Sequence, residues 1–182
     1  MKILAIGASN SRHSINRVLA AYAANSVEGA SVEVIDINEF ELPLFSIERE
    51  AELGQPELAK KFHEKIGSAD GLVIAFAEHN GSYTAAWKNL FDWVSRIDTR
   101  VFQGKPSVYL STSPGARGAA TVLASAVQSA PHFGAELVGS LSIPAFQQSF
   151  SIEADAFRDE QVARQVGELM SRFREAVQQR LE

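Results

Sequence analysis

The stretch Lys2-Ile3-Leu4-Ala5-Ile6-Gly7-Ala8-Ser9-Asn10-Ser11-Arg12-His13-Ser14-Ile15-Asn16 sets the architecture. A short continuous apolar run ends at Gly7 in a segment of small hydroxyl and amide residues. From Ser14 onward apolar residues recur at Ile15, Val18, Leu19, Tyr22 and Ala23, the i, i+3, i+4, i+7 spacing of an amphipathic helix. A buried strand that turns through such a loop into a helix is how α/β proteins build an anion pocket. Backbone N–H groups and the positive end of the helix dipole converge there. The stretch therefore predicts a phosphorylated ligand at the end of the first strand.

The same alternation continues outward. Gly29 is placed to close the first helix, and residues 31–37 alternate as an edge strand with one wetter face would. Residues 40–55, with Pro43, Gly54 and mixed charges, read as a surface loop. Pro56 opens a second helix with Leu58, Phe62 and Ile66 on one face. Residues 71–76 form the clearest central strand, and a third helix is expected from near Ser82, with Trp87, Leu90, Phe91 and Val94 inward. After Gly104-Lys105-Pro106 comes a strand over 108–111, then Ser113-Pro114-Gly115-Ala116-Arg117-Gly118 and a helix carrying Val122, Leu123, Ala126 and Val127. A fifth strand over 137–141 precedes a final helix, expected from about Glu153, with Val162, Val166, Leu169, Phe173 and Val177 on one stripe.

Five strands alternating with five helices imply a parallel sheet covered on both faces. The expected class is α/β: a flavodoxin-like three-layer sandwich with a five-stranded parallel sheet of order 2-1-3-4-5. No repeat or linker divides the chain, so residues 1–182 are expected to form a single domain. In this topology the ligand crevice lies outside the carboxyl ends of strands 1, 3 and 4, where residues 8–16, 78–82 and 113–118 fall.

Composition narrows the function. The net charge is -5 and the pI about 5.4, which leaves no basic footprint for nucleic acid. The chain has no cysteine, which excludes disulfides, thiol catalysis and cysteine-bound metals. No apolar stretch approaches the ~20 residues of a membrane span, and the N-terminus reads as a strand rather than a signal peptide. A cytoplasmic protein with no membrane contact is the expectation. His13, His63 and His132 have no spacing that would join His79 in a metal site, and none is predicted.

The loop chemistry selects among phosphorylated ligands. The dinucleotide fingerprint G-x-G-x-x-G is missing after strand 1, and Gly104-Lys105 leads into a strand rather than a Walker helix. What remains is a cradle in which Ser9, Ser11, Ser14 and Asn16 offer hydroxyl and amide hydrogen bonds. It suits the terminal monophosphate of a mononucleotide such as FMN. Ser11 or Ser14 acting as a plain helix cap uses the same geometry.

Three segments together resemble the NADPH-dependent FMN reductases of flavodoxin-like fold, which include quinone, azo-dye and chromate reductases. Ala8-Ser9-Asn10-Ser11-Arg12-His13-Ser14-Ile15-Asn16 is similar to that family's phosphate loop, G-S-x-R-x-x-S-x-N. Glu78-His79-Asn80-Gly81-Ser82, followed by Trp87-Lys88-Asn89-Leu90-Phe91-Asp92-Trp93, looks like its P-E-Y-N-G-S loop and K-N-x-x-D-W helix. Gly104-Lys105-Pro106 and the 113–118 loop are similar to its G-K-P and glycine-rich fourth loop. The chain departs from the pattern at Ala77 for proline, His79 for tyrosine and Ala8 for the leading glycine. Arg12 is displaced by one residue, with Ser11 at the arginine position, and Gly118-Ala119 stands for a double glycine.

The resemblance implies that Ser9, Ser14 and Asn16 hold the FMN phosphate, with Ser11, Arg12 and Ile15 beside them. It implies that Glu78, His79, Asn80, Gly81, Ser82, Ser113, Pro114, Gly115 and Gly118 line the isoalloxazine. NADPH or NADH would deliver a hydride, and a quinone-like or other small acceptor would receive it. The flavin would carry the chemistry, leaving no catalytic protein residue. A homodimer or homotetramer would complete the shallow crevice. Glu78 is open to a second role as a loop anchor, and residues 47–52 to service as a solvated face, a lid or a subunit contact. Two other readings exist. A flavodoxin-like relative with weak or no flavin binding could serve as a sensor or regulator. A lipase-like hydrolase could use Ser9, but it lacks the C-terminal Asp-x-x-His pair such enzymes need.

Overall fold

A computed structural model describes residues 1–182. Five parallel strands, β1 (Lys2–Ala8), β2 (Ser31–Ile35), β3 (Gly71–Phe76), β4 (Pro106–Thr112) and β5 (Glu136–Ile143), form one sheet. Its order is β2-β1-β3-β4-β5, the expected doubly wound order. The helices are α1 (Ile15–Asn25), α2 (Ile47–Leu53), α3 (Glu57–Ser68), α4 (Ala85–Val94), α5 (Ala120–Ser129) and α6 (Glu160–Leu181). No helix is long and apolar enough to cross a membrane.

The central strand β3 is apolar and buried throughout because helices cover both faces of the sheet there, whereas the edge strands β2 and β5 carry Glu33 and Glu136 and are only partly buried. Side chains alternate between faces. On β1, Leu4 and Ile6 join Leu72, Ile74, Phe76 and Tyr109 in a core closed by Phe62 and Ile66 of α3, Trp87 and Leu90 of α4 and Val122 of α5. Ile3 and Ala5 join Val73, Ala75, Val108 and Leu110 in the opposite core, closed by Leu19 and Ala23 of α1 and Leu169, Phe173 and Val177 of α6. Helices therefore layer both faces, and the carboxyl ends of all five strands share one edge.

The structure differs from the sequence reading in several elements. Within residues 40–55 the segment 47–53 is a helix, capped by the Ser46 hydroxyl accepting from Arg49 N at 3.2 Å, with no buried residue. Within the single chain its charged residues face outward. Asn89 of α4 pins the preceding segment, donating to Leu42 O and Pro43 O and accepting from Phe45 N, while Trp93 Nε1 donates to Pro43 O at 2.7 Å. The third helix begins at Ala85, because Ser82-Tyr83 pair antiparallel with Glu78-His79. The last helix begins at Glu160, capped by Asp159. Residues 146–157 instead form a helical turn and a small hairpin, whose Phe146, Phe150 and Phe157 pack edge-on or stacked with one another and with Tyr22. The first helix ends at Asn25, short of Gly29.

Candidate active site

The three polar loops follow β1, β3 and β4, which are neighbours in the sheet with Ala8 registered against Phe76 and Phe76 against Ser111. The parallel sheet thus brings residues 8–16, 78–82 and 113–118 to one edge.

In the first loop Ser14 is the N-cap of α1, its hydroxyl accepting from Arg17 N at 3.2 Å. Ser9 N donates to Gly7 O, and the Ser9 hydroxyl accepts from Ser11 N, which folds the loop back on itself. The N–H groups of Arg12, His13, Ile15 and Asn16 have no acceptor within the chain. Orphan donors at a helix N-terminus, lying at its positive end, are an anion cradle. Ser11 and Arg12 are exposed and their side chains touch no hydrogen-bond partner, whereas Ser9, Ser14 and Asn16 are buried.

Burial gives Asn16 another task. Its Nδ2 donates to Thr112 O at 3.1 Å and its Oδ1 accepts from Thr112 N at 3.0 Å. This side chain ties the start of α1 to the end of β4. Two further braces, neither singled out by sequence, fix the same loop. Thr84, the cap of α4, donates to Ala8 O at 3.0 Å. Arg17 donates to Arg12 O and to Asp36. Burial pushes the Asp36 carboxyl up, yet hydrogen bonds from Asn38 and the Arg17 guanidinium hold it below its ordinary range.

The second loop is a hairpin. Asn80 and Gly81 both take positive φ, 54° and 77°, the two-residue turn that Asn-Gly favours. His79, Asn80, Gly81 and Ser82 are exposed at its tip. Glu78 points the other way: its Oε2 accepts from Val122 N at 2.9 Å. The N-cap position of α5 is Ala119, which has no side-chain oxygen to offer. Glu78 replaces the missing cap from outside the helix, a carboxylate at the positive end of its dipole. Glu78→Gln keeps one oxygen acceptor and loses the charge. The expected cost is about 0.5–1 kcal/mol, read by urea unfolding, with Glu78→Ala costing about 1–2 kcal/mol. Equal stability of all three proteins would remove the cap assignment.

The third loop is held from beneath. Ser111 and Ser142 donate to Gly118 O at 2.7 and 2.9 Å, and Ala145 N and Phe146 N donate to Gly115 O and Ser113 O. Gly118 is buried with φ of 56°, while Pro114 and Gly115 are exposed and Ser113 is half-buried. The N–H groups of Ser113, Gly115, Ala116 and Arg117 have no acceptor in the chain. The edge therefore offers hydrogen-bond donors from three loops, framed by Glu78 and Asn16, which act on the protein itself. Such an array suits a flat, electron-rich group with an anionic tail.

Comparisons with known proteins place the chain in a family. The family model described as NADPH-dependent FMN reductase matches residues 1–148. A 2-hydroxy-1,4-benzoquinone reductase of Burkholderia sp is 38% identical over 122 residues, 66% of this chain and 64% of that protein. An NAD(P)H-dependent FMN reductase of Pseudomonas aeruginosa is 36% identical over 121 residues, again 66% and 64%. The match thus spans less than two thirds of the length of either relative. Among solved structures, FerB, a flavoenzyme NAD(P)H:(acceptor) oxidoreductase from Paracoccus denitrificans, superposes with a TM-score of 0.78 at 23% identity, covering 98% of this chain and 97% of that one. That likeness is one of fold. An oxidoreductase from Corynebacterium diphtheriae gives 0.68 at 25% identity, covering 96% and 98%. With the family model matching most of its length, the chain belongs to the NADPH-dependent FMN reductase family.

Proposed function

We propose that residues 1–182 form one domain that holds FMN across the three loops and works as an NAD(P)H-dependent oxidoreductase on a quinone-like or other small acceptor. The carrying observation is the first loop: four N–H groups without acceptors, at a helix N-terminus, beside the exposed Ser11 hydroxyl and Arg12 guanidinium. That donor set fits a phosphate, which accepts hydrogen bonds and carries negative charge. The benzoquinone, FMN and quinone reductases among the relatives support the acceptor class.

The chemistry such a flavin supplies when bound is hydride transfer between NAD(P)H and the acceptor. The chain's own part is binding and electrostatics. Arg12, Ser11 and the free amides hold the phosphate, and Ser9 keeps the loop in shape. Asn16 and Glu78 position the loops from behind. The amides of Asn80, Gly81, Gly115 and Ala116 are donors available to ring heteroatoms, stabilising negative charge there. Glycine at positions 81 and 115 leaves no Cβ between backbone and ring; an added Cβ would meet nothing within 4 Å at Gly81 and only the Ser113 hydroxyl at 3.9 Å at Gly115.

A second copy of the chain completes the crevice in this proposal. α2 buries none of its residues and leaves Ile47 and Leu53 exposed, with Leu44 beside them. A contact there closes the open side as a homodimer or homotetramer, and the protein works in the cytoplasm.

The test is titration of the purified chain with FMN, followed by the flavin spectrum and flavin fluorescence. Saturable binding is expected. The double variant Ser11→Ala/Arg12→Ala should weaken it by at least tenfold, since a charge-assisted contact contributes about 1.5–3 kcal/mol. Thermal unfolding should stay unchanged, because both residues are exposed and neither side chain makes a hydrogen bond or ion pair with the rest of the protein. A chain that never binds FMN, or a double variant of unaltered affinity, would overturn the assignment.

A further inference from the structure

A partly open aromatic cavity lies away from the loops, between α4 and α5, with a volume of about 250 Å³. Phe76, Trp87, Phe91, Phe102, Tyr109 and Phe133 wall it. The rings meet mostly edge to face, Phe76 and Tyr109 at 5.1 Å and Phe91 and Phe133 at 4.7 Å between centroids, so the walls are braced against collapse. Lys88 and Asp92, paired at 2.8 Å, stand on its lining.

One group in this wall is unpaid for: the Tyr109 hydroxyl is buried and has no hydrogen-bond partner. Tyr109 itself is 1% exposed. The neighbouring serines do not relieve it. Ser95, Ser125 and Ser129 each donate to a carbonyl of their own helix, at 2.9, 3.2 and 3.2 Å. Burial pushes the Tyr109 hydroxyl well above its ordinary range, so it remains a protonated donor. An unsatisfied buried donor is costly, and native structures seldom leave one without a reason.

We propose that this cavity is a second binding site, separate from the flavin crevice, for an uncharged one- or two-ring aromatic molecule whose carbonyl or ether oxygen accepts from Tyr109. Size sets the ring count. An apolar cavity of about 150 Å³ admits benzene, and the larger volume here takes a fused bicycle. Occupancy would reach the loops through two elements. Tyr83 lines the cavity and is registered against Glu78 in the hairpin; Ser125 and Ala126 belong to α5, whose first turn Glu78 caps.

The test uses the full chain and a matched pair of probes, 1-indanone and indane, which share a shape and differ in the acceptor. Binding is followed by calorimetry and by tryptophan fluorescence in FMN-free protein, and by calorimetry in saturating FMN. 1-Indanone should bind saturably, about tenfold tighter than indane, and equally well with and without FMN. Tyr109→Phe should abolish the difference between the probes, and Ala126→Leu, which fills the cavity, should remove binding of both. Equal affinities of the two probes in the unmodified chain would overturn the proposal, as would competition with FMN. The remaining outcome, in which neither probe binds and Ala126→Leu dissociates an oligomer in sedimentation, would assign the cavity to a second copy of the chain and also overturn it. Every readout in FMN-free protein is independent of flavin binding, so a failed flavin titration leaves this result standing.

Discussion

Asn16→Ala is expected to lower the stability of the chain by about 2–4 kcal/mol, more than any other substitution in the polar loops. The side chain makes two buried hydrogen bonds, to Thr112 N and Thr112 O, across 96 residues of sequence. Removing it loses both and leaves a buried backbone donor and acceptor without partners, each costing about 1–3 kcal/mol before relaxation and water entry reduce the sum. At about 2–4 °C per kcal/mol for a chain of this size, Tm should fall by about 5–15 °C. Asn16→Asp is the sharper variant. It keeps an acceptor for Thr112 N but sets a second carboxylate oxygen against Thr112 O, so it should be as destabilising as alanine despite its shape. Ser14→Ala, which removes only a helix cap, should cost about 1 kcal/mol. Thermal and urea unfolding of the three variants decide the matter. If Asn16→Ala proves no worse than Ser14→Ala, the brace between α1 and β4 carries no weight, and Asn16 reverts to a ligand contact.

That distinction marks where the sequence ceased to be readable. The sheet order was legible because each strand is a local apolar run and each helix a local stripe, with glycine, proline or a cap residue between them. The gathering of three loops at one edge follows from that order. What Asn16 and Glu78 do depends on partners 96 and 44 residues away, which no spacing reveals. Both sit in a polar loop and read as ligand contacts, Glu78 with a loop anchor as its second role. Asn80-Gly81 is different: the dipeptide is itself a signal for a two-residue hairpin turn, and the structure shows that hairpin where a plain loop was expected. The α2 helix was hidden by its composition, since a segment that buries nothing has no stripe to detect. The last helix was placed from about Glu153, seven residues early, because residues 153–157 give no local sign of the hairpin in which Phe157 meets Phe150 and Tyr22.

Gly7→Ala is the counterpart at the centre of the opening stretch, and its expected effect is on the backbone rather than on a hydrogen bond. A Cβ at Gly7 would lie 2.6 Å from Arg17 Cα and 2.7 Å from Arg17 N, distances that real Cβ atoms do not show. The obstacle is helix backbone, which cannot rotate aside, so α1 must move off the sheet by about 1 Å to reach ordinary contact. Overpacking of this kind costs about 1–3 kcal/mol. The displacement also carries the free amides of Ile15 and Asn16, and the Ser14 cap, away from the end of β1. FMN affinity should therefore fall by at least tenfold, as hydrogen bonds to charged groups weaken with small misplacement. Gly167→Ala supplies the opposite sign. That glycine lies inside α6, exposed, with nothing within 4 Å of an added Cβ. Alanine there should raise stability by about 0.5–1 kcal/mol and leave FMN affinity unaltered. Urea midpoints and FMN titrations of the two variants read both effects. A Gly7→Ala protein as stable and as tightly flavin-binding as the parent would mean that α1 can slide freely on the sheet, and that the first loop is not the rigid cradle its geometry describes.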